Sequence, residues 1–186
     1  MFKSLATNIR FAALAAMAGG AAWTVTGAIQ LTGNDDLRTS DIESALEHAM
    51  LGMFSVALLL TVPAVLALSR QARSPRPGYI AAAGQVALAI AATTSNIAGH
   101  DPTFFLVVAP IANLMWLAGT IGLSVSLRRA GAISKPVAFL LPAVQVFCLP
   151  LSLVGGGLIG GAVWIAVGYL MSVGALRRIE VSPAVA

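Results

Sequence analysis

An all-α bundle of membrane-spanning helices is the fold class this sequence predicts, and three observations predict it. Hydrophobic residues make up 58% of the 186-residue chain. Charged residues make up only 10%, against ~25% in an ordinary soluble domain. The few charges lie in short segments between long uncharged runs, and the mean hydropathy is +0.89. Such a chain uses lipid as its solvent, and crossings of ~20 residues each leave no length for a soluble catalytic domain. The sequence therefore reads as one integral membrane domain over 1–186, a polytopic bundle of six transmembrane helices with N- and C-termini in the cytoplasm.

The first crossing, 11–32, lies in an uncharged run from Phe11 to Asn34. Lys3, Arg10 and the Ala16-Met17-Ala18 tripeptide also suit a cleaved signal peptide. The apolar run continues to Leu31, beyond the ~7–15 residues of a signal core, so a retained helix is expected. The loop Gly33 to Glu47 carries Ile42, Leu46 and Met50 at a spacing of four, which predicts a short interfacial helix leading into the second crossing, 48–69. A basic connector with two prolines, Arg70 to Gly78, precedes the third crossing at 79–99. The fourth spans 104–126, with a bend expected at Pro110. The last uncharged run, Pro136 to Leu176, is about twice the ~20 residues that one crossing needs. Gly155-Gly156-Gly157 near its middle is the natural turn, giving crossings at 137–154 and 157–176, with bends expected at Pro142 and Pro150.

Charge sets the orientation. Lys3, Arg10, Arg70, Arg73, Arg76, Arg128, Arg129, Lys135, Arg177 and Arg178 share one side of this scheme, and only Arg38 falls on the other. Asp35, Asp36, Asp41, Glu43, Glu47 and Asp101 take the side opposite the basic cluster. The positive-inside rule puts the basic side in the cytoplasm and the protein in a plasma membrane. The Ala- and Arg-rich composition is that of a bacterial chain, hence a bacterial cytoplasmic membrane. The net charge of +4 then reflects topology and attraction to anionic lipid headgroups, and no nucleic-acid partner is expected. Membrane lipids are the expected partners, together with other membrane subunits or further copies of the chain.

No Asp, Glu, Lys or Arg lies within an apolar run, which argues against proton or ion coupling. Amides and tryptophans are present instead. Helical spacing puts Trp23 and Gln30 on one face of the first helix, Gln85 and Asn96 on one face of the third, Asn113 and Trp116 on one face of the fourth, and Gln145 with Cys148 on one face of the fifth. Gln85, Asn113 and Gln145 fall in the middle layer, whereas Gln30, Asn96, His48 and His100 fall near the outer surface. An amide is costly against lipid, so these faces turn inward, either to line an outward-facing vestibule or to tie helices together at ~0.6 kcal/mol per bond. Gly156, Gly157, Gly160, Gly161 and Gly168 form small faces on the sixth helix that let backbones approach closely, within the chain or between copies.

Three functions compete. The first is a non-enzymatic accessory or scaffold subunit, motivated by the lack of intramembrane charge, of a ligand cluster and of a soluble domain. The second is a small-solute transporter or channel, motivated by the amide faces. The third is an outer-face sensor or metal-binding protein using Glu47, His48, His100 and Asp101, whose imidazole and carboxylate groups suit zinc but lack a metal spacing. No nucleophile–base pair is selected, no nucleotide loop is present and no cofactor is expected. The single cysteine, Cys148, is expected to serve as a small buried hydrophobe.

Overall fold

The computed structural model describes residues 9–32, 42, 44–148, 151 and 155–176. They form six α-helices: α1 (Ile9–Gln30), α2 (Ala45–Gln71), α3 (Arg76–Ala98), α4 (Phe105–Arg129), α5 (Lys135–Cys148) and α6 (Gly156–Ser172). There is no β-strand among the described residues. By length and composition, α1 to α4 are each long and apolar enough to cross a membrane. Helices α5 and α6 are apolar but shorter, at 14 and 17 residues. The Leu151 N–H donates to Phe147 O at 3.2 Å. Residues 149–150 and 152–154 lie outside the described set. So do the candidate interfacial segment 33–41 and the basic pair Arg177 and Arg178.

Each helix packs against its sequence neighbours, and α6 returns to pack against α1, so the six close into a ring. The neighbours run antiparallel. On α2 and α3, for example, Ser55 meets Ala89 near one end and Ser69 meets Gly78 near the other. One end of the ring carries the α2–α3 and α4–α5 connectors with Arg73, Arg76, Arg128, Arg129 and Lys135; we refer to it as the basic end. The opposite, acidic end carries Glu47 and Asp101.

The ring buries many of its alanines and exposes many of its large apolar side chains. Ala12, Ala13, Ala16, Ala57, Ala64, Ala81 and Ala91 are fully buried. Ile97, Leu106, Leu114 and Phe139 are 83%, 73%, 66% and 72% exposed. A protein surrounded by water seldom leaves so much contiguous apolar surface bare. Lipid makes that surface costless and leaves packing, not burial of oily groups, to hold the helices together.

The seam between α1 and α6 is where packing is closest. Going along α6, Gly157, Gly161 and Gly168 lie against Gly27, Gly20 and Ala13 of α1. A methyl group on Gly157 would sit 2.7 Å from Trp23 O, one on Gly161 2.7 Å from Gly20 O, and one on Gly168 2.6 Å from Ala13 O. No Cβ fits at such distances, so the backbones can touch only because these positions have none. The turn leading into α6 is equally tight: Gly155 has φ 88°, the left-handed region that glycine enters freely, and the Gly156 N–H donates to Leu151 O at 2.7 Å.

The ends are pinned locally. Ser44 caps α2: its Oγ accepts from the Glu47 N–H at 3.1 Å, while the Glu47 carboxylate accepts from the Ser44 N–H at 2.8 Å. This reciprocal pair satisfies two backbone groups that a helix start leaves open. At the basic end the Ser74 N–H donates to Ser126 Oγ at 2.8 Å and Ser126 Oγ donates to Ser74 O at 3.2 Å, tying the α2–α3 connector to the last turn of α4.

Candidate functional site

A cavity of about 240 Å³ lies in the acidic half of the ring. Its walls come from five helices: Trp23 and Gln30 of α1, Phe54 of α2, Leu88 of α3, Phe105, Ala109, Asn113 and Trp116 of α4, and Gln145 and Cys148 of α5. Gln30, Phe105 and Cys148 are terminal residues of their helices at the acidic end. From Phe105 down to Trp116 the wall covers ~16 Å at ~1.5 Å per residue, which reaches the middle of the bundle.

Below that level Leu68, Leu123, Leu127, Val167 and Met171 of the basic half are each at most 1% exposed, and a separate cavity of about 360 Å³ lies among Gly131, Ile133, Val137, Leu170 and Leu176 at the basic end. A packed, largely apolar layer therefore separates the cavity from the basic end in this conformation.

Aromatic rings and amides divide the wall. Trp23 and Trp116 lie side by side, with ring centroids 6.1 Å apart and planes tilted by 31°. Phe54 meets Trp23 edge-on at 5.2 Å and 89°. That spacing leaves no room for a third ring between the indoles. Opposite in chemistry are the amides. Gln145 Nε2 donates to Asn113 O at 2.7 Å and to Asn113 Oδ1 at 2.9 Å. Asn113 Nδ2 in turn donates to Ala109 O at 2.9 Å. The chain of donors fixes both amide orientations, because turning either side chain over would set oxygen against oxygen. Gln30 Oε1 accepts from the Gly157 N–H at 3.1 Å, which holds the start of α6 to the end of α1. Cys148 Sγ donates to Gly156 O at 3.1 Å.

Three polar atoms on cavity-lining side chains are left over. Trp23 Nε1, Trp116 Nε1 and Gln145 Oε1 are buried and have no hydrogen-bond partner. Buried polar groups ordinarily find one, in protein or in ordered water. Gln85 Oε1, Ser95 Oγ, Ser124 Oγ and Trp164 Nε1 also lack one, but these side chains do not line the cavity.

The sequence candidates thus separate into two sets. Trp23, Gln30, Asn113, Trp116 and Gln145 converge on one space. Gln85 and Asn96 do not. Gln85 is fully buried between α2 and α3, where its Nε2 donates to Thr61 Oγ1 at 3.0 Å. Asn96 sits at the acidic end: its Nδ2 donates to His48 O at 3.2 Å, and its Oδ1 is 2.7 Å from His48 Nδ1, so that ring nitrogen carries the proton. Both act as ties between α2 and α3. Phe54, Leu88 and Phe105 are lining residues that sequence periodicity does not single out, since an apolar side chain in an apolar run faces lipid or cavity with the same pattern.

Three of the four proposed metal ligands, Glu47, His48 and His100, have other partners. The Glu47 carboxylate caps Ser44, His48 pairs with Asn96, and His100 Nδ1 lies 3.0 Å from Ala98 O. Among the described residues no three His, Cys, Asp or Glu side chains come together. The glycine candidates all lie in contacts within the chain: Gly157, Gly161 and Gly168 against α1, Gly160 against Cys148 and Trp23, and Gly156 against Cys148 and Leu151.

None of the lining residues carries a charge. An ionised solute at this depth faces ~2.5–3.5 kcal/mol of the kind measured for a charged side chain at the membrane centre. A cation over the indole face would regain ~2 kcal/mol at best. The recess is suited to an uncharged occupant. It is larger than the ~150 Å³ cavity that accommodates a benzene ring, so one or two rings fit.

Fold and cavity together define a helical membrane protein with a recess among its helices. No protein-family model matches the chain, and neither the curated proteins nor the solved structures compared with it include a match.

Proposed function

We propose that this protein is a non-enzymatic multi-pass membrane protein whose recess binds a small uncharged solute arriving from the acidic end. The convergence of Trp23, Asn113, Trp116 and Gln145 on one cavity carries this reading. By the positive-inside rule the acidic end faces away from the cytoplasm, so the recess is an outward-facing vestibule of a transporter or solute receptor. In the scheme of six crossings α5 and α6 form the last hairpin. The packed floor of Leu68, Leu123 and Leu127 bars passage in this conformation, so transport requires the basic halves of the helices to part. The accessory-subunit reading has the absence of intramembrane charge in its favour, and it leaves Gln30, Asn113 and Gln145 the single task of tying helices together.

Water access separates the two. In a Cys148→Ala background, Asn113→Cys is expected to react with a membrane-impermeant thiol reagent added on the acidic side. Leu127→Cys, set in the packed floor, is expected to resist the reagent from both sides. An Asn113→Cys protein that is folded yet unreactive from both sides would mean a dry centre, and would favour the scaffold.

A further inference from the structure

The second cavity, at the basic end, plays no part in the solute reading. We propose that it seats an anionic phospholipid. Arg128, Arg129 and Lys135 hold the headgroup phosphate, and the upper part of an acyl chain lies against Ile133, Val137, Leu170 and Leu176. The proposal is independent of the recess and needs only that the helices cross a membrane.

The cavity has a structured rim. Its volume is about 360 Å³, and it is bounded by the α4–α5 connector, the first turn of α5 and the end of α6. The two helix ends on that rim close in the same way. After α4, Gly131 has φ 71°, its N–H donates to Arg128 O at 3.0 Å, and the Ala132 N–H donates to Leu127 O at 3.0 Å. After α6, Gly174 has φ 74°, its N–H donates to Met171 O at 3.3 Å, and the Ala175 N–H donates to Leu170 O at 2.9 Å. Each pair of bonds is a glycine-terminated cap that ties off the last carbonyls of a helix.

The charge around the cavity is one-sided. Arg128 and Arg129 end α4 just before Gly131, and Lys135 opens α5 next to Ser134. All three are exposed. The described carboxylates, Glu47 and Asp101, both lie at the opposite end, so these cations have no acidic partner among the described residues. Guanidinium groups fork onto phosphate oxygens, and a lysine adds a compact charge. Their long stems lie along apolar surface while the charged heads stay at the membrane interface.

The walls decide between a lipid and a water-borne anion. Ile133, Val137, Leu170 and Leu176 offer a free phosphate nothing, whereas a phospholipid meets cation and apolar wall with two parts of one molecule. Apolar surface also continues beside the cavity, where Phe139 and Val173 are 72% and 55% exposed. Tails alone give no selectivity, because every lipid brings the same hydrocarbon. The preference therefore follows headgroup charge.

Native mass spectrometry tests this on the full-length protein in neutral detergent, titrated with phosphatidylglycerol or with phosphatidylcholine of identical tails. The expected result is one phosphatidylglycerol bound about tenfold more tightly than phosphatidylcholine. Arg129→Gln with Lys135→Gln is expected to remove that preference. Arg73→Gln with Arg76→Gln withdraws the same charge from the α2–α3 connector at the same end and is expected to keep it. Ala175→Trp, which adds bulk at an exposed wall position without changing charge, is expected to weaken phosphatidylglycerol binding several-fold. Equal affinity for the two lipids overturns the proposal. So do equal losses from the two charge pairs, which would mean general attraction to the basic end, and an Ala175→Trp protein that binds as before. Displacement of the lipid by an equimolar amount of glycerol 3-phosphate would assign the cavity to a water-borne anion and also overturns it.

Discussion

Gly157→Leu is expected to prevent α6 from docking on α1. Even a single methyl group at this position would lie 2.7 Å from Trp23 O and 2.8 Å from Gly27 Cα, and leucine adds three more carbons. The obstacles are backbone atoms of a helix clamped on its other side by α2, so they cannot swing aside as a side chain tip does. Overpacking a well-filled core costs ~1–3 kcal/mol when neighbours can shift. Here they cannot, and the loss should exceed that range. It is the more damaging because the α1–α6 seam closes the ring and Gln30 holds the Gly157 N–H. Gly52→Ala provides the control: its new methyl group would meet only Asn96 Nδ2 at 3.6 Å, an ordinary contact. Unfolding in a titration of sodium dodecyl sulfate should show a large loss for Gly157→Leu and little change for Gly52→Ala. Equal stability of the two variants would mean that α1 and α6 do not touch as described.

Trp164→Ala is expected to be the next most severe change. Trp164 is fully buried in the core, and its Nε1 has no partner, so removing it breaks no hydrogen bond. The loss is one of packing alone. Trp→Ala in a water-soluble core costs ~3–5 kcal/mol, part of which comes from transfer out of water. In lipid that part falls away, because the separated helix meets hydrocarbon and not water. About 3 kcal/mol is therefore expected, at the lower end of the ~3–5 kcal/mol range. Leu114→Ala is expected to be near neutral in the same assay, since Leu114 is 66% exposed toward the surroundings of the ring. Comparable losses for the two variants would contradict the assignment of inside and outside.

Much of this architecture is legible in the sequence because lipid imposes simple demands. A helix that must cross apolar solvent cannot carry charge within it, so uncharged runs mark the four long helices to within about four residues at each end. The glycine faces of α6 are legible for a similar reason: where oily burial gives no driving force, close backbone approach must, and that requires Gly157, Gly161 and Gly168 at helical spacing. The Ser44-x-x-Glu47 cap is also written in the sequence. The Ile42, Leu46 and Met50 spacing runs straight through it and draws the expected helix start away from Ser44.

The site is legible only in part. A period of 3.6 residues shows that Gln85 and Gln145 each turn away from lipid. It does not show what each turns toward. Gln85 meets Thr61 on the adjoining helix, whereas Gln145 meets a cavity wall, and the difference depends on how far each helix is rotated about its axis. Phe54 and Phe105 lie beyond periodicity altogether, because aromatic residues suit a lipid-facing position and a cavity equally well. The α5–α6 hairpin was anticipated as two full crossings, and its described helices are shorter than the other four. Charge-free sequence specifies that such a segment is apolar, not where in the bilayer it begins.

The account rests on alternate helix connections lying on opposite faces of a membrane. Reporter insertions after Ser74, Asp101 and Ala132, read with an enzyme active only outside the cytoplasm and a fluorophore active only inside it, test this most directly. Cytoplasmic signals are expected at Ser74 and Ala132, and an external signal at Asp101. Ser74 and Asp101 reporting from the same side would contradict the bundle, and with it the vestibule.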